Sequence, residues 1–281
     1  MFKQRVAAIL IAVFITGFIT SSCESEPDVL TLPPKASLDI SLSQFPSGAE
    51  DTSNTKSIPS IRNWLFSSLT VLSWNAVLAT NIAIPVAAYA EAFNHTPVYL
   101  GDNQWEWNYS ATIKGKTYNA RLLGARIDNE IYSMEMFLSQ GQAFSDFKWF
   151  EGIIRYDHTD VNWTISHSPS SPINYLDIAY EKDFETDKSK IVYTVIDPEN
   201  ALFESYIEFG KDTSQVFDAF YNINRNDTLT NIQWDLQTNA GRVMNKQYFG
   251  DHSWHCWDSQ LMDVKCPDDD DDNNQLQESA H

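Results

Sequence analysis

The densest group of side chains able to do chemistry is Asp251-His252-Ser253-Trp254-His255-Cys256-Trp257-Asp258. A carboxylate, two imidazoles and a thiol are the donor types of a zinc or copper site. The spacing argues against one. His252 and His255 share a face only on a helix, and this stretch has no helical periodicity. A Cys256 held in a disulfide cannot ligate. The stretch reads instead as a disulfide-tied strand with Trp254 and Trp257 in packing roles, and neither a metal nor a cofactor is expected.

A second group is Tyr156-Asp157-His158-Thr159-Asp160. Histidine beside carboxylates can act as a general base. The same residues between two strands form an ordinary turn, in which Asp oxygens bond the local backbone. A third possibility is a pair of strand carboxylates at the separation glycoside hydrolysis requires. Glu106, Glu135, Glu151, Asp177, Glu181, Glu204, Glu208 and Asp235 all fall in expected strands. The solvent face of a strand is rich in carboxylates by default. No Gly-x-Ser-x-Gly elbow, His-Glu-x-x-His pair or phosphate-binding glycine loop is present. The sequence is therefore read as non-catalytic.

The aromatic content points to binding or packing. Nine Trp, twelve Tyr and sixteen Phe can line an apolar cup or present platforms for sugar rings. The candidate ligand-binding residues are Trp105, Trp107, Tyr109, Trp149, Trp163 and Trp234. Trp105 and Trp107 share one strand face. Trp149 and Phe150 are adjacent, so strict alternation would turn one of them away from the core.

The elements that position these residues follow from periodicity. Residues 105–113 alternate without error, with aromatic and aliphatic side chains at odd positions and polar ones at even positions. Similar runs separated by short polar turns continue to the region of Trp257, about eleven strands in all. No helix-length segment separates them, so an antiparallel meander is expected rather than a parallel sheet. Before the strands, no charged residue lies between Arg62 and Glu91. The run is long enough to cross a bilayer, but Asn, Ser, Thr and Pro punctuate it. It is read as a buried helix over 60–84, ended by Pro85, followed by a short second helix over 86–93. The fold class is mainly β: a curved sheet, half-barrel or barrel, with the apolar helix packed on or in it. In outline this resembles the half-barrel of the periplasmic lipoprotein-carrier proteins, which also place a helix before a meander. The resemblance covers about 60–250 and implies an apolar or amphipathic ligand between helix and sheet.

Charge divides the chain. There are 38 acidic and 19 basic residues, for a formal charge of −19. That excess excludes a nucleic-acid partner, whose phosphates need a basic surface. Residues 23–56, with scattered acids, Pro, Ser and Thr, are expected to form a flexible acidic tether. Residues 57–266 form one β-rich domain. Residues 267–281 form a solvated acidic tail; Asp268 to Asp272 lack the alternating ligands of a calcium loop.

The start of the chain is a targeting segment. Lys3 and Arg5 precede an apolar run from Val6 to Ile19, then Thr20-Ser21-Ser22-Cys23. This resembles the signal of bacterial lipoproteins, with Thr20 where the family usually has Leu. The resemblance spans 1–23 and implies cleavage after residue 22 and a diacylglycerol on the Cys23 sulfur. The expected partner is then a membrane, through that lipid. The expected location is the outer membrane, on its periplasmic face or at the cell surface. With Cys23 acylated, Cys256 and Cys266 remain as an even pair, expected to be bridged in an oxidising compartment. Three functions follow: an envelope protein that binds an apolar ligand or acts in assembly, a surface protein that recognises carbohydrate or protein through aromatics, and a carboxylate-pair hydrolase.

Overall fold

The computed structural model describes residues 28–39, 45–46 and 60–267. The signal segment, Cys23 and the acidic tail beyond Pro267 lie outside the described residues.

Among these residues fourteen strands form one sheet, each paired antiparallel with its neighbours in chain order. They are β1 (Val98–Gly101), β2 (Gln104–Ile113), β3 (Lys116–Arg126), β4 (Ile131–Gln140), β5 (Phe144–Arg155), β6 (Asp160–Ser168) and β7 (Ser171–Lys182), then β8 (Ser189–Val195), β9 (Tyr206–Lys211), β10 (Ala219–Arg225), β11 (Thr228–Trp234), β12 (Gly241–Met244), β13 (His255–Trp257) and β14 (Asp263–Val264). The expected meander is present with more strands than periodicity reveals, because β1, β13 and β14 are too short to show alternation. β1 and β14 do not pair, so the sheet is open.

Alternation does set the two faces. In β2, Trp105, Trp107, Tyr109, Ala111 and Ile113 are buried and the residues between them face outward. Alternation breaks in β7, where Tyr175 and Leu176 are both buried, and in β5, where Trp149 and Phe150 are both buried. The expectation that one of them faces away is overturned by a bulge. Met136 pairs with Phe150 and Phe137 with Lys148, so Trp149 is the extra residue. A bulge resets the alternation and lets two successive residues point inward.

One helix, α1 (Arg62–Ala92), crosses the inner face. The expected break at Pro85 does not occur. Pro85 lies in a buried stripe with Trp64, Ser67, Val71, Trp74, Leu78, Ile82 and Tyr89, spaced three and four residues apart. Packing on both sides of the proline keeps the helix whole. The uncharged polar residues bond back to the helix: Ser67 Oγ to the Asn63 carbonyl at 2.9 Å, Thr80 Oγ1 to that of Ala76 at 2.7 Å.

The helix also shows that the sheet curves. Asn63 Nδ2 donates to the Cys256 carbonyl in β13, and the Ala88 carbonyl accepts from Tyr109 in β2. Those helix positions are about 38 Å apart, whereas β2 to β13 would span about 53 Å in a flat sheet. The sheet bends toward the helix to close the difference.

The second layer over the inner face was expected to be a tether. Residues 28–39 and 45–46 are instead a strap packed on the sheet. Leu30 and Leu38 are buried, and a 3-10 turn, η1 (Lys35–Ser37), lies between them. Phe45 sits edge-on to Trp234 with ring centroids 5.3 Å apart. The strap's carbonyls are held by aromatic tips: Thr31 by Tyr132, Pro33 by Tyr89, Asp39 by Tyr193 and Pro46 by Trp64. Composition averaged over the whole segment misses this. A few widely spaced apolar residues suffice when the opposing surface supplies both burial and donors.

At the far end a short helix, α2 (Lys246–Phe249), is capped by Asn245, whose side chain accepts from the Tyr248 amide. Cys256 and Cys266 are bridged, with Cα atoms 5.2 Å apart. The bridge ties β13 to the chain that follows β14. Replacing both cysteines with Ser should lower stability by about 2–3 kcal/mol through the entropy of the short loop it closes. Urea unfolding with and without reductant measures this; an unchanged midpoint would mean that the bridge adds nothing.

Candidate functional site

The six candidate aromatics all belong to the covered interior. Trp105, Trp107, Trp163 and Trp234 are at most 2% exposed, Trp149 is 4% and Tyr109 is 8%. None is a platform for a sugar ring, which corrects the glycan-stacking expectation for these residues. Trp163 lies edge-on to Phe150 and Tyr89, and its indole N–H donates to Ser37 Oγ of the strap at 3.3 Å. Tyr109 stacks on His95 at 4.8 Å. Trp234 stacks on Tyr221 at 5.0 Å.

The structure therefore gathers these residues into one interior, lidded by α1 and the strap, rather than into an open cup. Three interior indole N–H groups, on Trp74, Trp149 and Trp234, have no acceptor among the described residues. Periodicity could not identify them, because an indole's partner depends on the opposite layer.

The carboxylates are on the other face. Glu135 and Glu151 face each other across β4 and β5 beside an open outer groove of about 490 Å³. Lys148 Nζ holds both, at 3.2 and 2.5 Å. Its pKa is raised, chiefly by the hydrogen bond to Glu151. Both acids are held on one ammonium at a solvated surface, and both line that open groove. Asp177 accepts from Thr164 Oγ1 at 2.7 Å. Glu181 pairs with Lys190 at 3.0 Å, and Glu208 accepts from Asn222 at 3.1 Å. Glu106 stands 3.9 Å from Arg121. Glu204 and Asp235 lie outside strands, contrary to expectation. Glu204 is in a turn with φ +63°, and Asp235 accepts from the amides of Gln237 and Thr238 after β11 has ended.

The histidine groups are likewise held by local partners. His255 Nε2 is 3.0 Å from Asp251, its ring stacks on Phe249 at 3.8 Å, and Cys256 is oxidised. His158 occupies a left-handed turn position, φ +56°. Its Nε2 is 3.0 Å from the Tyr132 hydroxyl and 3.4 Å from Thr31 Oγ1. Nearby, the Tyr156 hydroxyl and Arg126 Nε are buried with no hydrogen-bond partner among the described residues.

Burial under the strap lowers the His158 pKa below 6.5, against a smaller opposing pull from Asp157. The unfolded state then takes up a proton that the folded state resists. Stability should decline as pH falls from 6.5 toward the depressed folded value. Urea midpoints across that window should lose this slope in His158→Gln; an identical slope in the variant would contradict the assignment.

Neither comparison of the sequence with protein-family models and curated proteins nor comparison of the fold with solved structures finds a match.

Proposed function

We propose that the chain is a non-enzymatic bacterial envelope protein, held to a membrane by acyl chains on Cys23, whose β body serves envelope assembly through its outer surface. One observation carries this choice over a ligand carrier. The inner face, where the carrier resemblance puts a ligand, is covered twice and filled with the protein's own side chains. Trp64, Trp74, Leu78 and Tyr89 enter from α1, and Leu30 and Leu38 from the strap.

The outer face of α1 supports recognition at the surface. Leu65, Leu69 and Leu72 are 42–58% exposed in a run that carries no charge between Arg62 and Glu91. A contiguous apolar stripe in solvent is a common mark of a contact surface.

The carrier reading retains one supporting observation. The Trp74 and Trp234 N–H groups are buried without acceptors among the described residues, which costs about 1–3 kcal/mol each unless something bonds them. The headgroup of an amphipathic ligand could do so.

Mass spectrometry of an organic extract separates the two. The sample is the chain with Cys23→Ser, purified from the periplasm without detergent and retaining the strap. The assembly reading expects no stoichiometric apolar molecule. A one-to-one lipid would overturn it in favour of the carrier.

A further inference from the structure

Anchoring at Cys23 has a geometric consequence once the strap is recognised. A tether of more than thirty residues would let the body stand well away from the bilayer. The strap removes that freedom. Among the described residues the strap starts at Asp28, whose carbonyl accepts from Arg126 Nη2 at 2.8 Å. Five Cα steps separate Cys23 from Asp28, and they span at most about 18 Å. The headgroup layer of one leaflet itself takes up about 5–8 Å. The corner of the sheet that receives Asp28 is therefore confined to the membrane surface.

Three exposed apolar side chains surround that point. Val29 follows Asp28 and is 56% exposed. Ile127 follows Arg126 and is 52% exposed. Leu100 is also 52% exposed. It lies in β1, beside the turn whose Asn103 carbonyl accepts from the Arg126 amide at 3.0 Å. Arg126 thus joins all three: its guanidinium holds the strap, its amide holds the β1–β2 turn, and Ile127 is its neighbour.

The charges around the corner indicate which surface it suits. Asp28, Asp102, Asp128 and Glu130 flank it, so an anionic headgroup layer would be repelled. A zwitterionic layer would not.

We propose that the corner formed by Val29, Leu100 and Ile127 rests on a zwitterionic bilayer, with the strands rising from it. This rests on the acylation of Cys23 proposed above. The contact area is small, but the anchor makes docking intramolecular, so a weak contact suffices. The orientation is specific. The β1–β2 and β3–β4 turns face lipid, and the Lys114-Gly115 turn at the other end of β2 stands about 34 Å away.

The test uses the full acylated chain in phosphatidylethanolamine–phosphatidylcholine vesicles carrying nitroxide-labelled lipid. With Cys23 acylated and Cys256 and Cys266 bridged, a new cysteine is the single free thiol for a fluorophore. Ile127→Cys and Leu100→Cys should each lose emission about twofold to the quencher, and Lys114→Cys should lose none. Intact mass of the same samples reads the anchor independently. An acylated protein whose Ile127 and Lys114 labels are equally unquenched overturns docking while leaving the anchor standing. A blue-shifted Ile127 label that lipid does not quench means that protein, such as a second copy, covers the corner, and also overturns docking. An unacylated Cys23 overturns both the anchor and the docking.

Discussion

Leu38→Ala should destabilise the protein by about 2–5 kcal/mol, the range for a fully buried leucine. Leu38 is 0% exposed and follows the η1 turn, whose Lys35 carbonyl accepts its amide at 3.1 Å. In a flexible tether the same change would cost almost nothing. Chemical denaturation of the two chains side by side decides between these outcomes. A shift in midpoint at unchanged slope gives the lost stability. A midpoint that does not move would return the segment to the tether reading and remove the short leash argued for Cys23.

Trp163→Ala should cost about 3–5 kcal/mol, comparable to other buried aromatic truncations. Its indole covers Gly152, its directly opposed partner on β5. A Cβ on that glycine would lie 2.2 Å from the ring. The pair is complementary: glycine leaves the space and tryptophan fills it. Gly152→Ala should therefore also destabilise, by about 1–3 kcal/mol from overpacking. Trp163 is the more informative position, because it was a candidate ligand contact and the structure makes it a core residue. A Trp163→Ala protein of native stability, with altered affinity for an apolar probe, would reverse that assignment.

These two changes mark where sequence reasoning worked and where it stopped. The alternation in β2 and the long uncharged run were enough to give a mainly antiparallel sheet with one apolar helix over it. Each signal is local, because one face of a strand and one stripe of a helix repeat at fixed periods. The burial of Leu38, the continuity of α1 through Pro85 and the inward turn of both Trp149 and Phe150 depend on the opposite layer. No period encodes them. The strap is the clearest case: Leu30 and Leu38 lie in an acidic, proline-containing segment that reads as disordered. Their burial is set by Gly124, which leaves room for Leu30 on the sheet, and by tyrosine hydroxyls a hundred or more residues away in β4 and β8.

The candidate site divides in the same way. Trp105, Trp107 and Tyr109 were legible as one strand face because they fall at alternate positions in β2. Their role as packed core rather than binding surface was not, because it follows from the second cover that the strap provides. Among the carboxylates, residue types could not show that Glu135 and Glu151 would share Lys148 on the outer face. That arrangement needs the register of β4 against β5, and the bulge there shifts it by one residue.

The central claim is that the strap seals the inner face. Ser37→Cys tests it most directly, in a chain that also carries Cys23→Ser. Ser37 is 0% exposed, and its hydroxyl bonds the Pro34 carbonyl at 2.8 Å, so a thiol of similar size disturbs little. With Cys256 and Cys266 bridged, it is the only free thiol. Reaction with a thiol reagent under native conditions should be slowed by orders of magnitude relative to the unfolded chain, and should become fast only in denaturant. Native labelling as fast as in the unfolded chain would mean that the strap does not stay on the sheet and that the inner face is open to a ligand.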